Sequence, residues 1–308
     1  MDKRKGSQCQ QGYLESSRAG KMMRYSIPNL PEDIWRHIHS LVPLRDMLLV
    51  LLACLQLSSL KVCGCCKLKV IESKAPNVSN LAIDRKVKLS GETLQMKHLS
   101  MFFENLVCYA RSELPSILPN LETLDLTSFD EAVHTPMLPI KFMYLKQLTI
   151  SITSGLTFSP SYDYFSLVSF LDASPSLETL FLDVTQQRMS HASVFEDSSS
   201  LRQIDERDYC CLKSVKISGF TSAKSLVELT CHVLKNAVSL ESITLDTLYG
   251  RRCSEENRGS CRPMANGILR EAPRALEAIR TYITDKVPAT AKFSVVEPCR
   301  RCHKVRRS

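Results

Sequence analysis

Pro119-Asn120-Leu121-Glu122-Thr123-Leu124 returns nearly word for word as Pro175-Ser176-Leu177-Glu178-Thr179-Leu180, and again in Ser239-Leu240-Glu241-Ser242-Ile243. Each phrase opens a unit in which apolar residues stand at the first, fourth and sixth places. The same unit occurs at Leu57-Leu60-Val62, Val78-Leu81-Ile83, Met96-Leu99-Met101, Leu121-Leu124-Leu126, Leu145-Leu148-Ile150, Leu177-Leu180-Leu182, Leu212-Val215-Ile217 and Leu240-Ile243-Leu245. Successive starts lie 21, 18, 25, 24, 32, 35 and 28 residues apart. A single such unit is common in any leucine-rich chain. A run of them at near-constant period, after similar turn words, marks a repeat architecture.

The fourth and sixth positions are two apart, so on an extended strand both side chains point the same way. One unit cannot bury that apolar side by itself; stacked neighbours cover one another. The period is that of leucine-rich repeats, about 20–29 residues, and the intervals of 32 and 35 imply inserted loops. The asparagine or cysteine expected three residues after the last apolar position occurs only as Cys65, with Thr153 and Thr185 offering hydroxyls instead. The expectation is an α/β leucine-rich-repeat solenoid, an irregular horseshoe, over residues 47–250. Residues that alternate with the apolar pair face the concave side. Asp125, Thr149, Phe181, Asp183, Lys216 and Asp246 are the candidates there for binding a protein substrate. Asp125, Asp183 and Asp246 are expected to form an acidic row that selects a basic segment.

Residues 1–25 are polar and aperiodic and read as a disordered leader. Next come Leu30-Pro31-Glu32-Asp33-Ile34-Trp35-Arg36-His37-Ile38-His39-Ser40-Leu41-Val42-Pro43. Pro31 suits the first helical position, and Glu32 and Asp33 favour the positive end of the helix dipole. Ile34, Ile38 and Leu41 share one face, and Pro43 stops the helix. Past Leu248 the repeat fades. Arg251 to Pro263 reads as a loop. Met264 to Lys286 reads as a helix that Pro273 should break or kink, and Ala291 to Val296 as a final strand. Residues 251–298 are taken as a C-terminal cap and 299–308 as a basic tail.

With 44% hydrophobic and 23% charged residues the 308-residue chain is ordinary for a globular protein. Only 10 glycines and no phosphate-binding, nucleophile-elbow or metalloprotease motif argue against an enzyme. Met47–Leu60 is too short to cross a bilayer, which takes about 20 residues, so no membrane span is expected. The net charge of +8 gathers at the ends, in Lys3, Arg4, Lys5 and Arg300, Arg301, Lys304, Arg306, Arg307. These read as solvated tails ahead of a nuclear-import or nucleic-acid contact. The 13 scattered cysteines and the lack of an apolar leader point to a reducing cytosol or nucleus. Cys299-Arg300-Arg301-Cys302-His303 matches the pattern for covalent haem, which needs an oxidising assembly compartment. Zinc is the better fit, with Cys253 and Cys261 joining Cys299 and Cys302 or His303. The first pair is spaced by eight rather than three, however, and thiols in a tail are favoured; no cofactor is expected.

Leu30-Pro31-Glu32-Asp33-Ile34 through Leu41-Val42-Pro43-Leu44-Arg45-Asp46 resembles the opening of an F-box. With the repeats, the phrase Leu212-Lys213-Ser214-Val215-Lys216-Ile217-Ser218-Gly219-Phe220 and the C-terminal segment, the chain resembles the plant F-box/leucine-rich-repeat proteins. The similarity is to grass members with a meiotic-F-box-type repeat region and an FBD-like end. It implies a helical F-box fragment at 26–46 and a role as substrate-recognition adaptor of a Skp1–cullin–F-box ubiquitin ligase in the cytoplasm or nucleus. It also assigns Leu30, Pro31, Ile34, Trp35, Ile38, Leu41, Val42 and Pro43 to contact with the Skp1-like adaptor. An F-box normally continues for about two more helices, whereas this chain runs from Asp46 straight into Met47-Leu48-Leu49-Val50-Leu51-Leu52. The alternative is therefore a leucine-rich-repeat interaction module without ligase coupling.

Overall fold

The structure, a computed structural model, describes residues 58–64, 69–73, 77–91, 95–131, 135–154, 161–185, 191–196, 199–202, 207–250 and 261–303. The F-box-like stretch lies outside them, as does Cys253. The repeat units fold as strands: β1 (Ser59–Val62), β3 (Asn80–Ile83), β5 (His98–Glu104), β6 (Thr123–Phe129), β7 (Gln147–Thr153), β8 (Thr179–Thr185), β9 (Ser214–Ser218) and β10 (Ser242–Asp246). They form one parallel sheet in chain order, which β11 (Lys292–Val296) completes beside β10. The cap therefore ends by adding a further rung to the solenoid. A second, two-stranded parallel sheet joins β2 (Val70–Ser73) to β4 (Lys88–Gly91).

The pairing register reproduces the spacing of the repeats. Leu60, Leu81, Leu99, Leu124, Leu148, Leu180, Val215, Ile243 and Phe293 align across the sheet, and so do the residues two places later, Val62 through Val295. From β3 to β10 both rows are buried and belong to one continuous apolar core. Each such side chain contributes about 1.5–3 kcal/mol when taken fully from water. Because every strand repeats the inward pattern, a slip of one residue would expose the whole row, and the register is strongly fixed.

The elements that return the chain from one strand to the next vary with the space available. Only 21 and 18 residues separate the first three repeat starts. Here β2 and β4 make the return, with Ile71 and Leu89 buried. Longer intervals admit helices: α1 (Leu106–Ile117), α2 (Val168–Ala173, after a 3-10 turn at Tyr164–Leu167) and α3 (Lys224–Asn236). The connection between β6 and β7 has no helix among its described residues and is held by its neighbours. Arg111 of α1, 1% exposed, donates from Nε to the Ser169 carbonyl (3.0 Å), from Nη1 to the Ile140 carbonyl (3.0 Å) and from Nη2 to the Leu138 carbonyl. Phe142 from the same connection stacks on Phe170 of α2, ring centroids 6.2 Å apart.

The cap helix α4 (Asn266–Ala278) continues through Pro273, where a break or kink was expected, so the break does not occur. Pro273 is exposed, and the distortion falls further on, in a π-turn at Ile279–Ile283 followed by a 3-10 turn at Thr284–Lys286. Gly219 closes β9 at φ 72°, where a side-chain carbon would stand 1.8 Å from the Val184 carbonyl oxygen; only glycine fits that crossing.

At the starts of the strands a second ladder runs across the sheet. The backbone N–H groups of Glu122, Lys146, Glu178, Lys213, Glu241 and Lys292 each donate to the preceding member's carbonyl, beginning at Lys97, over 2.8–2.9 Å. The side chains alternate in sign along it. Lys97 and Lys146 both reach Glu122, at 2.8 and 3.2 Å, and Lys213 reaches Glu178 at 3.6 Å. Such exposed pairs are worth well under about 1 kcal/mol each. A shift by one repeat would set like charges side by side, so the ladder disfavours mispaired repeats.

Candidate functional site

Helices are about 10 Å wide and strands lie about 4.8 Å apart, so a solenoid carrying helices on one side curves toward its sheet. The open face of the sheet is the concave one. Between the two apolar rows runs a row of outward residues: Lys61, Ala82, Ser100, Asp125, Thr149, Phe181, Lys216, Thr244 and Ser294. Four of the candidates, Asp125, Thr149, Phe181 and Lys216, are consecutive members. All four are accessible on this face, with Lys216 the most exposed.

Asp183 and Asp246 belong to the next row, with Thr127, Ser151 and Ser218. The expected row of three aspartates does not form. Asp125 stands between the apolar pair of its strand, whereas Asp183 and Asp246 follow theirs, a displacement of two residues or roughly 6.6 Å. Asp125 shares its row with Lys216, so the face is mixed in charge. Asp246 is also buried, and its Oδ1 accepts the Leu248 N–H at 2.9 Å, tying the exit of β10.

Asp183 sits above Ser218 with Asp246 on the far strand. Burial raises its pKa above the ordinary carboxylate range, the negative charge of Asp246 raises it further, and Lys216 and Arg262 oppose both. Its Oδ1 has no hydrogen-bond partner among the described residues. A carboxylate held this way favours an approaching donor or cation. The face also carries an aromatic site that the sequence reading missed. Phe102, in the row of Asp183, is 50% exposed, with its ring 5.3 Å from that of Phe129. Its neighbour Phe103 is buried, so alternation along the strand was the available signal.

On the opposite, helical side a cleft of about 310 Å³ is lined by Tyr162, Asp163, His191, Arg202, Lys224 and Glu228 among others. Arg202 bridges its carboxylates, donating to both oxygens of Asp163 at 2.7 and 2.8 Å and to Glu228 at 2.7 Å. His191 is half-buried against Tyr164, and its desolvation there lowers its pKa to about 4. These charges satisfy one another and brace the connections beneath α3.

At the C-terminal end Cys261, Cys299 and Cys302 meet, although thiols in a separate tail were favoured; their sulfurs lie within 4.8 Å of one another. Leu30, Pro31, Ile34, Trp35, Ile38, Leu41, Val42 and Pro43 fall outside the described residues. No helix among the described residues is long and apolar enough to cross a membrane.

No curated protein and no solved structure matches the chain. The family model described as "At1g61320/AtMIF1, LRR domain" matches residues 44–300. The matched stretch begins one residue after Pro43 and covers the whole sheet. The chain belongs to the At1g61320/AtMIF1 leucine-rich-repeat family, an α/β repeat fold of the protein-interaction kind.

Proposed function

We propose that the chain is a target-recognition adaptor that binds another protein along the open face of its sheet and couples it to a ubiquitin ligase. The observation that carries the binding half is the aligned outward row around Phe181. Asp125, Thr149, Phe181 and Lys216 sit side by side on a rigid ladder. They combine an aromatic anchor, opposite charges and hydroxyls, the mixture that protein interfaces use. Phe102 extends the surface toward the strand exits. A rigid scaffold lowers the ordering cost of binding.

The coupling half rests on the likeness of Leu30 to Asp46 to the start of an F-box, whose partners would be a Skp1-like adaptor and a cullin. The direct passage from Asp46 into the apolar run Met47–Leu52 favours a second reading, a repeat module that binds the same target without ligase coupling. A short helix offers little of the roughly 1,600 Å² that a stable interface usually buries.

One experiment separates the two. The full chain is co-expressed with a Skp1-like adaptor, with an intact F-box protein as positive control. In parallel, a photo-crosslinking residue replaces Phe181. Adaptor capture that Ile34→Asp abolishes, together with a protein crosslinked at position 181, supports the adaptor reading. Crosslinking without adaptor capture supports the uncoupled module. Failure to crosslink any protein at 181, where an exposed position of α1 such as Glu113 does crosslink one, overturns the assignment of the face.

A further inference from the structure

We propose that Cys261, Cys299 and Cys302 bind a zinc ion that staples the C-terminal cap to the last rungs of the sheet. Cys261 lies between β10 and α4; Cys299 and Cys302 follow β11. Segments 38 residues apart in sequence thus converge until the three sulfurs lie within 4.8 Å of one another. A tetrahedral zinc ion with bonds of about 2.3 Å holds its sulfurs roughly 3.8 Å apart, so the thiols need close by no more than about 1 Å. None of the described cysteines forms a disulfide.

The surroundings are arranged for metal-bound thiolates. Cys299 and Cys302 have the two-residue spacing of zinc loops, and the backbone N–H groups of Arg301 and Cys302 hydrogen-bond the Cys299 sulfur. His303 is 8% exposed and spans the two segments: its Nδ1 accepts the Cys299 N–H at 3.1 Å and its Nε2–H donates to the Arg262 carbonyl at 3.0 Å. With both ring nitrogens engaged, His303 is a positioning residue that fixes the distance between the cysteine-bearing loops. Soft thiolates select zinc over magnesium or calcium. Each thiol releases its proton to solvent on binding. Three thiolates on a divalent ion leave one negative charge, beside Arg262, Arg300 and Arg301. Cys302 is exposed, so a fourth ligand can come from water or a further donor.

The staple joins parts of the cap that packing holds unequally. Ala275, Ala278, Ile279 and Ile283 enter the main core, whereas Leu269 and Ala272 pack with Leu248 in a small satellite core and β11 presents no buried residue to the sheet. Arg262 packs its guanidinium 5.2 Å from the Tyr249 ring, beside Gly250, where a side-chain carbon would stand 2.9 Å from the arginine Cδ. The segment carrying Cys261 is thereby pinned against the exit of β10.

The test is metal binding by the full chain, reduced, stripped with chelator and titrated with Co²⁺ and then Zn²⁺. One equivalent of Co²⁺ with sulfur-to-metal charge-transfer and tetrahedral visible bands, displaced by one equivalent of Zn²⁺, is expected. Cys299→Ser/Cys302→Ser should weaken binding at least 100-fold, whereas Cys210→Ser/Cys211→Ser should leave it unchanged. Should the first double variant fail to fold, Cys302→His keeps a ligand and should retain the ion with a charge-transfer band smaller by one thiolate. Stoichiometric binding that survives loss of Cys299 and Cys302, absence of binding by the reduced chain, or a Cys299–Cys302 disulfide that persists as the native form would overturn the proposal.

Discussion

The two faces of the sheet are made by the same strands and carry opposite kinds of information. Inward, every rung from Leu81 to Ile243 repeats one instruction, a branched apolar side chain at the same height. Outward, the central rungs differ: Asp125, Thr149, Phe181 and Lys216 are unlike in charge, size and polarity. Packing demands uniformity, because each layer covers the next. Recognition demands variety, because a partner's surface is not periodic. The difference teaches where stability and function can be altered separately.

The sharpest contrast is between adjacent residues. Leu148→Ala removes buried methyl groups from the centre of the core and should cost about 3 kcal/mol, read as a lower urea midpoint. Thr149→Ala, one residue on and facing out, should move it by less than about 0.5 kcal/mol. Equal effects would mean that the faces are not divided as described.

Arg111→Met keeps the bulk of the side chain but removes the donors to the carbonyls of Leu138, Ile140 and Ser169. It should cost about 2 kcal/mol, and hydrogen exchange should show loosening first between β6 and β7. Loosening spread evenly over the sheet would contradict the role of Arg111 as a brace for one connection.

The helical side adds a pH dependence in the range where histidine titrates. Burial lowers the pKa of His191 to about 4, from about 6.5 when unfolded, and burial also lowers that of His232. The unfolded chain therefore takes up protons between pH 6.5 and 4 that the folded chain refuses, and stability falls across that window by about 3 kcal/mol for His191. His191→Phe should flatten the fall in equilibrium unfolding measured from pH 7 to 4.

The smallest effect belongs to the charge ladder. Lys97 and Lys146 hold Glu122 below its ordinary carboxylate pKa, so its contribution is present above about pH 4.5 and lost as pH falls further. Glu122→Lys should cost under about 1 kcal/mol in dilute buffer and still less in molar salt.

The uniform face was legible in the sequence because its rule is local. Counting from Leu121, Leu145 or Leu177 locates each buried pair, and the alignment of Leu124, Leu148 and Leu180 follows. The returns were less legible. Val70, Ile71, Val87 and Leu89 carried a β signal, but a repeat too short for a helix had to be recognised before β2 and β4 could be assigned. Pro273 misled because an exposed proline within a helix is tolerated when packing holds the turns on either side. On the varied face, Asp125 was grouped with Asp183 and Asp246 by residue type, although its place between Leu124 and Leu126 already set it in another row. Phe102 went unread because its neighbour Phe103 hides the alternation. The meeting of Cys261 with Cys299 and Cys302 depends on β11 docking beside β10, a long-range pairing that no local spacing encodes.

The central claim is that the open face binds a target protein while the inner face only holds the fold. The most direct measurement is crosslinking at position 181 in a chain carrying Asp125→Lys and Lys216→Glu, compared with the otherwise unchanged chain. A target captured by the unchanged face and lost at least tenfold in the charge-reversed one, with an unaltered unfolding midpoint, is the predicted result. Equal capture by both chains would contradict it.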